Sequence, residues 1–414
     1  MRSVLMVAFH YPPSFGSSGV QRTLKFSRHL PALGWKPLVL TAHERAHPEV
    51  SQVGMADIPA DAVVSRAFAI DSRRHLAVRG SSLRMLGVPD QWISWWLGAV
   101  PAGLRLVRRH RPAVIWSTYP IATAPLVALT LHRLTAIPWV ADFRDPMVDA
   151  DYPSHGPTRR IHQWIERRAA ASAACMVFTT PTAKRDFLSR HPGVAPERCL
   201  VISNGYDEAD FSGAPRTVPT AIPSGEPVRL VHAGFVYQDE RDPRPLFRAL
   251  ARLRKDGRID PASFRLDLRA PGTPEYYVDL IERLDLQGLV YVLPPLPYRE
   301  SLRDSAAASA LLILQGAACN HQIPAKAYEY LRIGRPILAL TPAEGDTGAL
   351  IAECGGATRM DLMDEDALHE QLPRFLDAVR EGRHPLPAID PVQRYARQSQ
   401  ARQLAARLEE VARS

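Results

Sequence analysis

The chain has 414 residues, 46% of them hydrophobic and 23% charged, with 51 lysines and arginines against 43 acids and a formal net charge of +8. A chain this long exceeds one ordinary core, so two globular domains are expected, and the excess of positive charge points to anionic partners: nucleic acid, nucleotide or an acidic membrane surface. Neither export nor membrane spanning is expected from the apolar runs, since Val4 to Phe9 is too short for a signal peptide and Pro12-Pro13 follows it, while Ile121 to Leu131 falls well short of a bilayer span. Cys175, Cys199, Cys319 and Cys354 form no CxxC pair, which predicts a reduced cytoplasmic protein without structural zinc. The extra charge is mostly arginine, with small clusters at Arg105 to Arg111 and Arg159 to Arg168.

Residues 2 to 9 read as a buried strand, and Pro12 to Gly19 as a loop with glycines at Gly16 and Gly19. A helix follows from Val20 to Leu33, where Phe26, Leu30 and Leu33 recur on one face. Gly34 stops it, and Pro37 to Thr41 is the next strand, completing a βαβ unit. The pattern repeats with strand 113–117, helix 121–134, strand 138–141 and strand 175–179; Thr180-Pro181 then caps and opens another helix, and residues 200–202 form a strand. Residues 212 to 227 are rich in Pro, Ser and Gly without periodicity and read as a linker. A second series starts at Val228: strand to Ala233, Gly234 loop, helix 245–255, strand 264–269, a helix near 275–284 and strand 289–293. Asp390 to Arg413 reads as one charged terminal helix. The expected division is a first domain over 1–211, a linker over 212–227, a second domain over 228–389 and a closing helix over 390–414. Both domains would be doubly wound α/β, with ligand sites at the C-terminal strand ends and hence in a cleft between them.

The richest stretch is Asn320 to Leu340, which parses as loop, helix, stop and buried strand. Pro324 suits a helix start, and Gly334 with Arg335-Pro336 suits its end. Lys326 in the first turn and Glu329 three residues on share a face. Helix amides plus an ammonium make a seat for phosphate, and a carboxylate one turn along can accept from ribose hydroxyls; an ordinary surface ion pair on a crossover helix would look the same. Asp142-Phe143-Arg144-Asp145-Pro146 follows the strand 138–141 and would lie at its C-terminal edge. These groups could bind sugar hydroxyls, stabilise a departing charge, or simply pin the loop. Gly234 opens the second domain as Gly16 opens the first, and Tyr237 and Arg241 follow it; Arg241 is either a diphosphate ligand or a solvated loop arginine. Gly16 and Gly19 either admit a phosphate or sugar or merely allow a tight turn; the GxGxxG pattern is incomplete, which argues against dinucleotide binding. Trp92, Trp95 and Trp96, near the Arg105 to Arg111 cluster, could dock on an anionic membrane, line an acceptor pocket or be buried. His43-Glu44-Arg45-Ala46-His47 matches HExxH, but it directly follows a strand and Pro48 ends it, so a zinc-protease helix is not expected.

In order and spacing these segments resemble the retaining GT-B glycosyltransferases of family 4, especially those of bacterial surface-polysaccharide synthesis. The likeness runs through YPPSFGSSGVQRTLKFSRHLPALGWKPLVLT, ADFRDP, SNGYDEADF, HAGFVYQDERDPRPLF and IPAKAYEYLRIGRPILAL. It implies two Rossmann-like domains facing an interdomain cleft, with a last helix crossing back to the N-terminal domain. A nucleoside-diphosphate sugar would bind the second domain through Gly234, Tyr237, Arg241, Pro324, Lys326 and Glu329. A saccharide, lipid-linked or small-molecule acceptor would bind the first, through Gly16, Gly19, Tyr119 and Trp95. Asp142, Arg144 and His321 would carry the chemistry. His321 stands where the family's E-x7-E pattern has its first acid, and Phe235 stands where many members carry an arginine. The resemblance further implies retention of anomeric configuration, no metal or other cofactor, a cytoplasmic setting with peripheral contact at the inner membrane face, and no nucleic-acid partner. Two other readings stay open: a sugar-nucleotide epimerase of the same fold, and a non-catalytic binder of RNA or another polyanion.

Overall fold

The computed structural model describes residues 1–14, 18–51, 54–75, 87–149, 152–153, 156–212, 216, 221–238 and 241–413. The chain divides into two compact units, Met1–Ser203 with Arg397–Ser414, and Asn204–Ala396. The boundary therefore falls eight residues before the expected 211, and the closing segment is shared between units at Ala396/Arg397.

The first unit is built on seven parallel strands: β1 (Arg2–Val7), β2 (Trp35–Ala42), β3 (Val63–Ala67), β4 (Val114–Thr118), β5 (Trp139–Arg144), β6 (Cys175–Phe178) and β7 (Cys199–Val201). Their spatial order is β3-β2-β1-β4-β5-β6-β7. The crossovers include α1 (Ser18–His29), a single turn α2 (Ser72–His75), α3 (Ser94–His110), α4 (Thr123–Thr135), α5 (Pro157–Ser172) and α6 (Pro181–Arg190). Side chains alternate across a strand, and helices cover both faces of a parallel sheet, so a continuous apolar run feeds two cores. β1 shows this directly: Leu5 and Val7 enter one core with Trp95 and Leu131, while Val4 and Met6 enter the other with Leu24 and Trp116. Thr180 caps α6 as expected, its hydroxyl accepting from the Ala183 amide at 3.1 Å.

The second unit repeats the plan with β8 (Val228–Ala233), β9 (Phe264–Arg269), β10 (Val290–Leu293), β11 (Ala310–Leu314), β12 (Ile337–Leu340) and β13 (Ala357–Met360), in the order β10-β9-β8-β11-β12-β13. Its helices are α7 (Arg244–Lys255), α8 (Pro274–Arg283), α9 (Tyr298–Ala306), α10 (Ala325–Ile333), α11 (Asp346–Cys354), α12 (Glu365–Arg380) and α13 (Ile389–Gln393). The terminal segment is not one helix. It breaks at Arg394–Ala396, where Ala396 bridges to Tyr206, and resumes as α14 (Arg397–Val411), which returns to the first unit and packs on α1. Both sheets reverse direction of build once, between β1 and β4 and between β8 and β11. Such a reversal leaves the two adjoining crossovers on opposite faces and opens a crevice beyond the strand ends, where α/β sheets bind ligands.

Candidate active site

In the second unit the reversal is occupied by a histidine that opens the HAGFVYQDERDPRPLF segment but to which the sequence assigns no role. His232 lies on β8 with no exposed surface, and its Nδ1 is 2.9 Å from the Leu312 carbonyl on β11. A carbonyl can only accept, so Nδ1 carries the hydrogen and Nε2 is left as an acceptor. Lys326 is the donor to it, its Nζ 2.7 Å from Nε2. Burial holds His232 well below its usual pKa and the Lys326 charge pushes the same way, so the ring is neutral. Burial also depresses Lys326, Arg241 adds to the effect, and Glu329 opposes it.

Lys326 is brought there by α10. Pro324 precedes the first helical residue with extended backbone, so it acts as the cap rather than sitting inside the first turn. Gly334, at φ 79°, closes the helix with its N–H on the Tyr330 carbonyl, as the sequence predicts. On the way the helix docks on β8 through Tyr330, whose hydroxyl accepts from the Ala233 amide at 2.9 Å. Gly234 then turns at φ 100°, and a Cβ there would stand 3.4 Å from the Lys326 ammonium. Glycine serves both needs at once: a left-handed backbone and room beside the cation. Glu329, one turn beyond Lys326, accepts from the Tyr298 hydroxyl at 2.7 Å. Tyr237 and Phe235 are exposed and stacked, ring centroids 6.0 Å apart, and the Arg241 guanidinium lies over Tyr237 at 5.3 Å. Among the described residues the Arg241 Nε has no hydrogen-bond partner. His321 sits in the loop before α10, its Nε2 3.2 Å from the Gln322 amide nitrogen. The structure thus gathers Gly234, Lys326 and Arg241 about one end of β8, with Glu329 on the same helix.

In the first unit the corresponding strand ends present His10 after β1, Tyr119 after β4 and Arg144 at the end of β5. Phe9, His10, Gly19, Thr118 and Tyr119 line a small hollow there. His10 belongs to none of the sequence motifs; burial first, then His47 and Arg144, bring its pKa down to about 3. Arg144 is buried with φ 60°, a left-handed backbone rarely adopted by a residue with a side chain. Its Nη1 is 3.5 Å from the Tyr119 carbonyl, and its Nε has no partner among the described residues. Strain of this kind persists where the surroundings over-determine it and concentrates at functional sites.

Three expectations need correction. Asp142 to Arg144 are the last residues of β5 and not a loop behind it. Asp142 is wholly buried and held by Arg22 through two hydrogen bonds, Nε to Oδ2 at 2.7 Å and Nη2 to Oδ1 at 3.2 Å. It is therefore an anchor and not a group open to substrate. Trp95 has no exposed surface and packs edge-on against Phe9 in the core, so it cannot face an acceptor. Trp92 and Trp96 likewise turn inward, donating to the Ala46 carbonyl and the Thr130 hydroxyl at 3.0 Å each, which removes the tryptophan basis for membrane docking. Gly16 lies outside the described residues. The HExxH segment forms a 3-10 turn over Glu44–Ala46, and among the described residues no three His, Cys, Asp or Glu side chains converge as a metal site. None of the described helices is long and apolar enough to cross a membrane.

Residues 18–205, nearly the whole continuous part of the first unit, match the family described as the glycosyl transferase 4-like domain. The chain has the GT-B fold, and its first unit carries a glycosyl transferase 4-like domain. Sucrose-phosphate synthase from Thermosynechococcus elongatus superposes on the chain with a TM-score of 0.67 at 15% identity, covering 99% of each chain. HepE from Anabaena, in complex with UDP-glucose, gives 0.62 at 14% identity over 99% of this chain and 100% of its own. A UDP-N-acetylglucosamine 2-epimerase from Listeria monocytogenes, described as putative, gives 0.58 at 13% identity over 98% and 95%. No curated protein matches the chain in sequence.

Proposed function

We propose that the chain is a glycosyltransferase that takes a sugar from a nucleoside-diphosphate donor bound by its second unit and passes it, with retention of anomeric configuration, to a saccharide, lipid-linked or small-molecule acceptor bound by its first. The observation that carries this reading is Lys326 at the start of α10, fixed beside the β8/β11 reversal with Arg241 near it and Glu329 one turn on. A cation, a helix N-terminus and a second cation converge where a diphosphate would lie, and a carboxylate follows at a spacing suited to a ribose. HepE is described in complexes with UDP-glucose, with UDP and with UDP and glucose, which supports a nucleotide-sugar donor here.

Departure of the diphosphate is the step that creates charge. Lys326, Arg241 and the first amides of α10 would stabilise it electrostatically, without a resident metal or other cofactor. His321, beside the diphosphate seat in sequence, would contact the donor sugar. In the first unit, His10, Tyr119 and Arg144 offer polar groups to an acceptor, and neutral His10 is suited to accept a hydrogen bond from its hydroxyl. Free, buried cysteines fit a reducing cytoplasm. The epimerase reading shares the fold, and the glycosyl transferase 4-like match over residues 18–205 favours transfer instead.

The test is thermal stabilisation by UDP, GDP, dTDP, ADP and CMP, with single-stranded RNA alongside. One diphosphate is expected to raise the melting temperature, by about the shift that a 2.7 kcal/mol stabilisation produces at a hundredfold excess over Kd. Glu329→Ala and Lys326→Ala should each lower that response. Silence towards every diphosphate, or a response unchanged in both variants, would refute the donor site.

A further inference from the structure

His232 makes no contact that the donor chemistry requires of it, yet the fold commits a fully buried polar side chain to this position. Both ring nitrogens are used: Nδ1 on the Leu312 carbonyl at 2.9 Å and Nε2 on Lys326 at 2.7 Å. The first bond fixes the tautomer and the ring plane, because it ties the imidazole to the neighbouring strand across the reversal of the sheet. The second fixes the lysine. A free lysine side chain samples many rotamers, and ordering it is entropically costly. Here that ordering precedes any ligand, and Gly234 leaves the space into which the ammonium projects.

The choice of acceptor matters. A carboxylate in this place would orient Lys326 equally well, but it would cancel the charge that a diphosphate needs to meet. A neutral imidazole orients the lysine without placing a negative charge beside it. Arg241, the nearest second cation, then adds to the field, and Glu329 is displaced one turn along the helix.

We propose that His232 is a positioning residue whose neutral ring pins the Lys326 ammonium at the diphosphate seat. The inference rests on the donor-site reading above, and a double-mutant cycle separates the two. The probe is whichever of UDP, GDP, dTDP or ADP binds the full-length protein most tightly, with affinity measured by calorimetry. Loss of a charge-assisted hydrogen bond should make Lys326→Ala bind about tenfold to a hundredfold more weakly. His232→Phe, with Lys326 present, should bind roughly threefold to tenfold more weakly while its ligand-free fold, followed by circular dichroism, is retained. The double variant should bind no more weakly than Lys326→Ala alone, because the histidine acts only through the lysine. His232→Gln, which restores a neutral acceptor near the Nε2 position, should recover affinity to within about twofold.

If His232→Phe and Lys326→Ala weaken binding independently and their effects multiply, His232 does not act through Lys326 and the proposal is overturned, while the donor site stands. The same holds if His232→Phe binds as tightly as the unaltered protein. Should His232→Phe fail to fold, His232→Gln carries the test alone: affinity near that of Lys326→Ala, in a folded protein, overturns it. If Lys326→Ala itself leaves affinity unchanged, the donor reading falls and the inference falls with it.

Discussion

The buried pair of Arg22 and Asp142 shows how a residue's place in a motif can mislead about its work. Asp142 lies in ADFRDP beside Arg144, but its oxygens are turned to an arginine 120 residues earlier in the chain, and both side chains are fully enclosed. Arg22 also donates to the Ile202 and Ser203 carbonyls, at 3.0 and 3.1 Å, so the pair ties α1, β5 and the end of β7 together. Removing one member of such a pair leaves a buried charge uncompensated and costs about 3–5 kcal/mol. Asp142→Ala should therefore lower the denaturation midpoint of the first unit. Arg22→Met added to it should restore part of the loss, an outcome that a catalytic role for Asp142 would not produce. His47 makes a second case at this scale. It is buried against Phe9, ring centroids 5.0 Å apart, with neither ring nitrogen partnered among the described residues. Burial first, and then Arg66, bring its pKa down to about 4. The unfolded chain binds the proton more readily, so the neutral fold is fully favoured above pH 6.5 and loses stability as pH falls towards 4. The loss is ~1.4 kcal/mol for each tenfold difference in proton affinity between the folded and unfolded chain. Denaturant unfolding at pH 7 and pH 4.5 should show a smaller difference in His47→Leu than in the unaltered protein. An equal difference in both would discount the histidine.

At the scale of elements, α10 was legible because its signals are local: Pro324 before it, Gly334 after it, and Lys326 and Glu329 at a helical spacing. The buried strands were legible for the same reason, since a parallel strand covered on both faces reads as a short apolar run. β12 falls at Ile337–Leu340 and β9 at Phe264–Arg269, where the run of residue types places them. What the sequence does not carry is pairing over distance. His232 and Lys326 are 94 residues apart, and nothing in VHAG announces a partner in PAKAY. His10 follows the first strand with nothing in the sequence to mark it, and the sheet sets it beside Arg144. The three tryptophans before and within α3 could face inward or outward on periodicity alone, and packing against Phe9 and the α4 side of the unit decided it. Asp90, which lies just before them, bonds the Thr123 amide at 2.7 Å at the start of α4. Asp90→Ala should cost about 1–2 kcal/mol, as loss of a buried helix-start acceptor does, measurable as a lower midpoint in denaturant.

The two units differ in how the chain builds them. The second is one continuous segment, Asn204–Ala396, whereas the first needs Arg397–Ser414 as well. α14 contributes Ala401, Leu404 and Leu408, all nearly without exposure, to the same core as Val4, Met6 and Trp116. Leu404→Ala should cost about 2–5 kcal/mol and do so in the first unit only. Deleting residues 397–414 should leave the second unit's transition intact in a calorimetric scan and abolish or strongly lower that of the first. If both transitions moved together, the two units would be one cooperative block.

That discontinuity has a consequence for synthesis. A chain made from its N-terminus at about 5–20 residues per second emerges with the first unit's strands complete but its α1 face uncovered. The helix that covers it is translated only after every residue of Asn204–Ala396. The second unit can thus fold during elongation, while the first waits with apolar surface open to chaperones or to neighbouring nascent chains. A ribosome stalled before Arg397 would release a product with its second unit folded and its first unfinished, which gives quality control a feature by which to tell such molecules from those that carry α14.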